Sequence, residues 1–92
     1  MANARGKSLK AIAQDISEGY VSVNPLFLKP FSDEALKELY IEVGKFQVGI
    51  RSDKFPNGDM LAIRMRNLRL QRLFSAQMII RNFARSKRMI LV

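Results

Sequence analysis

The sequence predicts an all-α fold: a small three-helix domain built on a long antiparallel helical hairpin, with a short extended segment at 21–23, at 89–92 or at both. Three observations carry that expectation. Apolar residues recur at three- and four-residue spacing in three separate stretches, the period of a helix with one buried face. A short side chain whose oxygen can accept from free backbone N–H groups stands before each stretch, namely Ser8, Ser32 and Asp59. From Met60 to Arg88 neither Gly nor Pro interrupts the chain, so the last helix is expected to be the longest.

Residues 1–7 read as a basic flexible arm carrying Arg5 and Lys7, and Ser8 caps a first helix over 8–19. Leu9, Ile12, Ile16 and Tyr20 form its apolar series, and Gly19 stands at its stop. Residues 20–31 form an apolar connector. Val21-Ser22-Val23 suits extended backbone, and Asn24-Pro25 with Pro30 is expected to keep the segment to Phe31 out of regular helix. Leu26, Phe27, Leu28 and Phe31 are too many large apolar groups for a solvated linker, so this piece should lie over the core as a lid. The stretch from Ser8 to Val23 resembles a helix-turn-helix in Ala13, Ile16 and the turn near Gly19. It departs from that pattern because Gly19 comes six residues after Ala13 and Pro25 interrupts any recognition helix begun at Val21.

The second helix, 32–51, starts at Ser32 with Asp33 and Glu34 placed to favour the positive end of its dipole. Leu36, Leu39, Val43, Phe46 and Ile50 line one stripe, with Lys37, Glu38, Glu42 and Lys45 off its centre. Gly44 and Gly49 each weaken a helix by up to ~1 kcal/mol relative to Ala, so they mark either a close approach of another backbone or an early end near Gly49. Residues 52–59 contain the turn Phe55-Pro56-Asn57-Gly58. The third helix, 60–88, would be roughly 42 Å long against about 29 Å for the second. They cannot cover each other fully, so either the first helix or a second copy of the chain, in a homodimer, covers the excess. Met89-Ile90-Leu91-Val92 is an apolar tail that should be tucked away, by pairing with Val21–Val23 or on a second subunit.

Composition bounds the function. The 92 residues carry 48% hydrophobic and 26% charged side chains, enough to fold and too few to bury a thick core. With no Cys and no His, the common thiolate and imidazole ligands and the usual general base are missing. No Gly-rich phosphate loop occurs, so an enzyme, a metal site and a cofactor are not expected. No apolar run is long enough to cross a bilayer, and a cytoplasmic location is the expectation.

The net charge of +8 is unevenly placed. Residues 1–59 hold all eight acids and eight of the sixteen bases, so the whole surplus lies in 60–92, where seven of the eight cations are Arg and no carboxylate follows Asp59. Wound on a wheel of 100° per residue, Leu61, Ala62, Met65, Leu68, Leu73, Ala76, Ile79, Ile80 and Phe83 make one broad face, expected to be core. Arg69 and Arg72 point toward that face and require partners, and Glu38 and Glu42 are the expected ones, in salt bridges that fix the hairpin register. The opposite arc, Arg64, Asn67, Gln71, Arg81, Asn82 and Arg85, is the candidate binding face, with Arg5, Lys7 and Lys10 beside it. Ile63, Leu70, Phe74 and Met78 sit in or next to this arc.

Two functions fit. One is a non-enzymatic nucleic-acid-associated protein in which this arc neutralises phosphates. The other is a helical adaptor, dimeric, that docks an acidic protein partner on the same arc with Leu70, Phe74 and Met78 as apolar anchors.

Overall fold

Four α-helices make up most of the chain in the computed structural model, which describes residues 3–4, 7–89 and 91: α1 Leu9–Glu18, α2 Pro25–Leu28, α3 Asp33–Ser52 and α4 Met60–Ser86. The three expected helices are present and the fold is all-α. Asn3–Ala4 (β1) and Lys7–Ser8 (β2) add a two-residue antiparallel pairing just before α1, so the described backbone of the expected flexible arm is paired there. Arg5 and the side chain of Lys7 lie outside the described residues, as do Ile90 and Val92 of the tail.

Each helix start is local chemistry. The hydroxyl of Ser8 accepts from the Ala11 N–H at 3.1 Å, that of Ser32 from the Ala35 N–H at 3.1 Å, and the Asp59 carboxylate from the Ala62 N–H at 3.0 Å. Each satisfies one of the donors that a helix N-terminus leaves free. The ends of α1 and α4 share a second device. Beyond α1, Gly19 takes φ 82° and the Tyr20 N–H donates to the Asp15 carbonyl at 2.9 Å. Beyond α4, Arg88 takes φ 57° and the Met89 N–H donates to the Ala84 carbonyl at 2.9 Å. A left-handed residue followed by that bond turns the chain back across the last turn of helix.

The connector departs from expectation. Pro25–Leu28 forms one helical turn, because Pro25 sits at the first helical position, where its missing N–H costs nothing, and Asn24 Oδ1 accepts from the Phe27 N–H at 2.8 Å. The lid itself is present: Phe27, Leu28 and Phe31 are buried, the two rings 5.3 Å apart. Val21–Val23 is irregular and forms no strand with the described tail residues, Met89 and Leu91; Val21, Val23, Met89 and Leu91 instead pack half-buried against the core.

Helices α3 and α4 run antiparallel, and three contacts set their register. Lys87 Nζ lies 2.9 Å from Asp33 Oδ1, Arg81 Nη2 donates to Tyr40 Oη at 2.6 Å, and a Cβ built on Gly44 would stand 3.4 Å from Gln77 Nε2. Extrapolated along both helices, Ser52 falls level with about Arg69. Residues 60–68 therefore project about 13 Å beyond the end of α3, flanked by the loop 53–59. Arg66 holds that loop, its guanidinium carbon 5.2 Å from the Phe55 ring centroid.

Helix α1 packs across both α3 and α4, and α2 packs on α4. Their common core is Leu9, Ile12 and Ile16 of α1, Leu28, Leu36, Leu39 and Val43 before the turn, and Leu73, Ala76 and Ile80 of α4. The broad core face expected on the long helix needs correcting. Leu61 is 69% exposed and Met65 40% exposed, Ala62, Leu68, Ile79 and Phe83 are half-buried, and Ala84 joins the buried set. Both exposed residues belong to the overhang, where no second helix lies opposite. The molecule is elongated accordingly, 44 × 25 × 21 Å.

Candidate binding surface on α4

The buried residues Leu73, Ala76, Ile80 and Ala84 fix which way α4 faces. The opposite pole is solvent. Arg64, Asn67, Gln71, Asn82 and Arg85 are all exposed on it, spread over about 32 Å at 1.5 Å per residue, with Phe74 and Met78 exposed in the roughly 16 Å between Gln71 and Asn82. Three- and four-residue steps keep such positions within a narrow angle of one another, so the sequence assigned this row by periodicity alone. Among the described residues Arg64 and Arg85 have no polar partner, and α4 contains no carboxylate. Their charge is not balanced along the helix.

Arg81 is different. Its guanidinium donates to Tyr40 Oη, and its carbon lies 5.8 Å from the Tyr40 ring centroid, so it clasps α3 while remaining exposed. Gln71 sits at the rim of a groove of about 410 Å³ between the 21–23 segment and α4, lined also by Ile16, Gly19, Arg72 and Ile79. Lys10 is exposed on α1, beside a depression it shares with Glu42 and Lys45, and does not extend the α4 row.

The salt bridges expected from Arg69 and Arg72 to Glu38 and Glu42 do not form. Arg72 Nη1 donates to the Ser17 carbonyl at 3.1 Å, and its guanidinium covers Gly19, whose added Cβ would come within 2.8 Å of Arg72 Cζ. Glu42 pairs with Lys45 one turn along α3 at 3.4 Å, and Arg69 is exposed. Register explains this. Glu38 and Glu42 lie level with about residues 83 and 79, roughly 15 Å along α4 from Arg69 and Arg72. Arg72 is still an architectural residue, as its position near the apolar face implied, but it serves the C-terminus of α1, where freed carbonyls and the helix dipole favour a cation.

Sequence reasoning missed the residues that spend the other cations. Tyr40, Phe55 and Asp33 engage Arg81, Arg66 and Lys87. It also missed Ile41 and Val48, 51% and 62% exposed on α3. Their seven-residue separation, off the Leu36–Leu39–Val43 stripe, was the available sign of a second apolar face.

Chemically, the surface offers planar guanidinium forks and side-chain amides, which donate to phosphate or carboxylate oxygens. It offers no thiol and no imidazole, and no cluster of metal-ligating side chains occurs among the described residues. No helix among them is long and apolar enough to cross a membrane. Comparison with protein-family models, with curated proteins and with solved structures gives no match.

Proposed function

We propose that this chain is a non-enzymatic nucleic-acid-associating module whose α4 pole neutralises phosphates. The observation that carries this reading is the exposed pole formed by Arg64, Asn67 and Gln71 and, about 16 Å further along, by Asn82 and Arg85, with Phe74 and Met78 exposed between the two groups and no carboxylate in the helix. Arginine and side-chain amides on a straight helix suit phosphate oxygens and the edges of bases, and the Arg charge is delivered by planar forks. Arg66, Arg72 and Arg81 are occupied within the fold, so the binding charge is smaller than the net charge suggests.

Titration of the full chain against duplex DNA and structured RNA at about 50 and 200 mM salt tests the reading, because phosphate-driven affinity falls by orders of magnitude over that interval. Replacing Arg64 and Arg85 together by Ala should weaken binding and reduce the slope of log affinity against log salt by about 2, roughly 0.9 per lost phosphate contact. Absence of binding at the lower salt would sink the proposal.

A second reading, an adaptor for an acidic protein, is favoured by Phe74 and Met78, which are 57% and 39% exposed beside the row. Arg with aromatic and Met side chains is the composition of protein interfaces. This reading gains if carboxylate-rich helical peptides bind where DNA and RNA do not.

A further inference from the structure

An open pocket of about 480 Å³ lies at the C-terminal end of α4, against Tyr40 of α3. Arg81 and Arg85, one turn apart on α4, and Arg88, from the turn that caps it, line this pocket together, and no carboxylate does. The rest of its lining is apolar, namely Ala84, Met89 and Leu91. The acids nearest in the hairpin register do not balance the three arginines. Asp33 is held by Lys87 at 2.9 Å, and Glu34 forms no ion pair among the described residues, while Lys37, one turn before Tyr40, adds a further cation. The helix dipole draws cations to a C-terminus, which accounts for Arg85, the basic residue in the last turn of α4. It does not account for the other two. Arg81 stands more than a turn before the end, and its guanidinium is oriented by the bond to Tyr40 Oη at 2.6 Å. Arg88 holds φ 57°, among the described residues the only left-handed backbone outside glycine. A Cβ strains that position, which helices ordinarily give to glycine, and here the strain falls on a residue whose side chain lines the pocket. Like charges one turn apart also repel, so the free chain holds this cluster at a cost that a bound anion removes.

We propose that this pocket binds a phosphate monoester of nucleotide size, with the phosphate on Arg81, Arg85, Arg88 and Tyr40 and the organic part on Ala84, Met89 and Leu91. The donors select phosphate over carboxylate. A phosphate monoester presents three terminal oxygens and close to two negative charges, one oxygen for each guanidinium fork, whereas a carboxylate presents two oxygens and a single charge. Tyr40 Oη accepts from Arg81 and keeps its own hydrogen to donate. Size and lining select an ester over free phosphate. The pocket falls within the ~300–1,000 Å³ range that encloses small organic ligands. Its apolar side calls for an apolar or aromatic group, and both the Met89 thioether and the guanidinium faces suit an aromatic ring. A free nucleotide and the phosphorylated end of a strand present the same chemistry. The pocket lies roughly 30 Å along α4 from Arg64 and shares only Arg85 with the pole described above, so the proposal stands independently of what that pole binds.

Amide NMR titration of the full chain in phosphate-free buffer tests it, with adenosine 5′-monophosphate, adenosine and inorganic phosphate as probes. The expected result is a Kd for the monophosphate below about 1 mM, with shifts at Tyr40 and over residues 84–89, and affinities at least about tenfold weaker for adenosine and for inorganic phosphate. Arg88→Gly should weaken the monophosphate at least about tenfold while the unfolding midpoint of the free chain rises, which separates lost binding from lost fold. Arg64→Ala should leave monophosphate affinity unchanged, so this proposal and the reading of the α4 pole fail separately. A short DNA strand with and without a 5′-phosphate separates the sources. A gain of about tenfold from the 5′-phosphate places a strand end in the pocket, and no gain with the monophosphate still bound assigns the pocket to free nucleotides. Absence of shifts at about 5 mM monophosphate overturns the proposal, as do equal affinity for adenosine and binding that survives Arg88→Gly. Equal affinity for inorganic phosphate overturns the place given to the organic group.

Discussion

Arg72 shows how much one side chain can settle in a thin core. Its guanidinium bonds the Ser17 carbonyl and lies over Gly19, joining the end of α1 to the middle of α4. Hydrogen bonds to charged groups contribute about 1.5–3 kcal/mol when shielded, and discounting for partial exposure leaves about 1–2 kcal/mol expected from Arg72→Ala in urea denaturation. Arg69→Ala, by contrast, should stay within about 0.5 kcal/mol, since the side chain is exposed. Equal losses from the two would refute the assignment. Gly19→Ala should cost about 1–3 kcal/mol, because φ 82° is strained for a residue with a Cβ and that Cβ would collide with Arg72. The double variant should lose less than the sum, as one cause of the Gly19 penalty is then gone. The structural role of Arg72 was legible from its angle on the helix. Its partner was not, because partners depend on hairpin register, which one helix's periodicity does not contain.

Helix boundaries were legible to within a residue or two because caps are local: Ser8, Ser32 and Asp59 all act as the sequence suggests. Pro25 misled because the same ring that breaks a helix interior begins a helix at its first position. The two glycines of α3 separate at this scale as well. A Cβ on Gly49 meets nothing within 4 Å, and α3 continues through it to Ser52, so Gly49→Ala should stabilise the chain by about 0.5–1 kcal/mol. Destabilisation by that substitution would mean that α3 ends earlier. At the other end of the hairpin, Arg88 holds φ 57° in the capping turn after α4. Glycine takes that conformation without the Cβ penalty, so Arg88→Gly should raise the unfolding midpoint by the equivalent of about 1 kcal/mol. A loss instead would show that the Arg88 side chain does more than end the helix.

At the scale of the whole molecule, the question is where along 44 Å the hydrophobic stabilisation resides. The sequence spread a core face over the entire long helix, since a wheel projects every turn onto one circle and discards axial position. The register confines burial to the C-terminal part: no residue of α4 before Leu73 is buried. Two sets of substitutions of similar chemistry should therefore diverge. Leu73→Ala removes a fully buried side chain and should cost about 2–5 kcal/mol, enough to leave a domain this size marginal or unfolded. Leu61→Ser and Met65→Ser remove side chains that are already 69% and 40% exposed, so each should change stability by about 0.5 kcal/mol or less. Thermal melts followed by circular dichroism at low concentration, where any self-association is diluted out, make the comparison. If Leu61→Ser were as damaging as Leu73→Ala, the overhang would have to be packed against the body of the same chain, and the register set by Asp33–Lys87, Tyr40–Arg81 and Gly44–Gln77 would have to slide toward the turn.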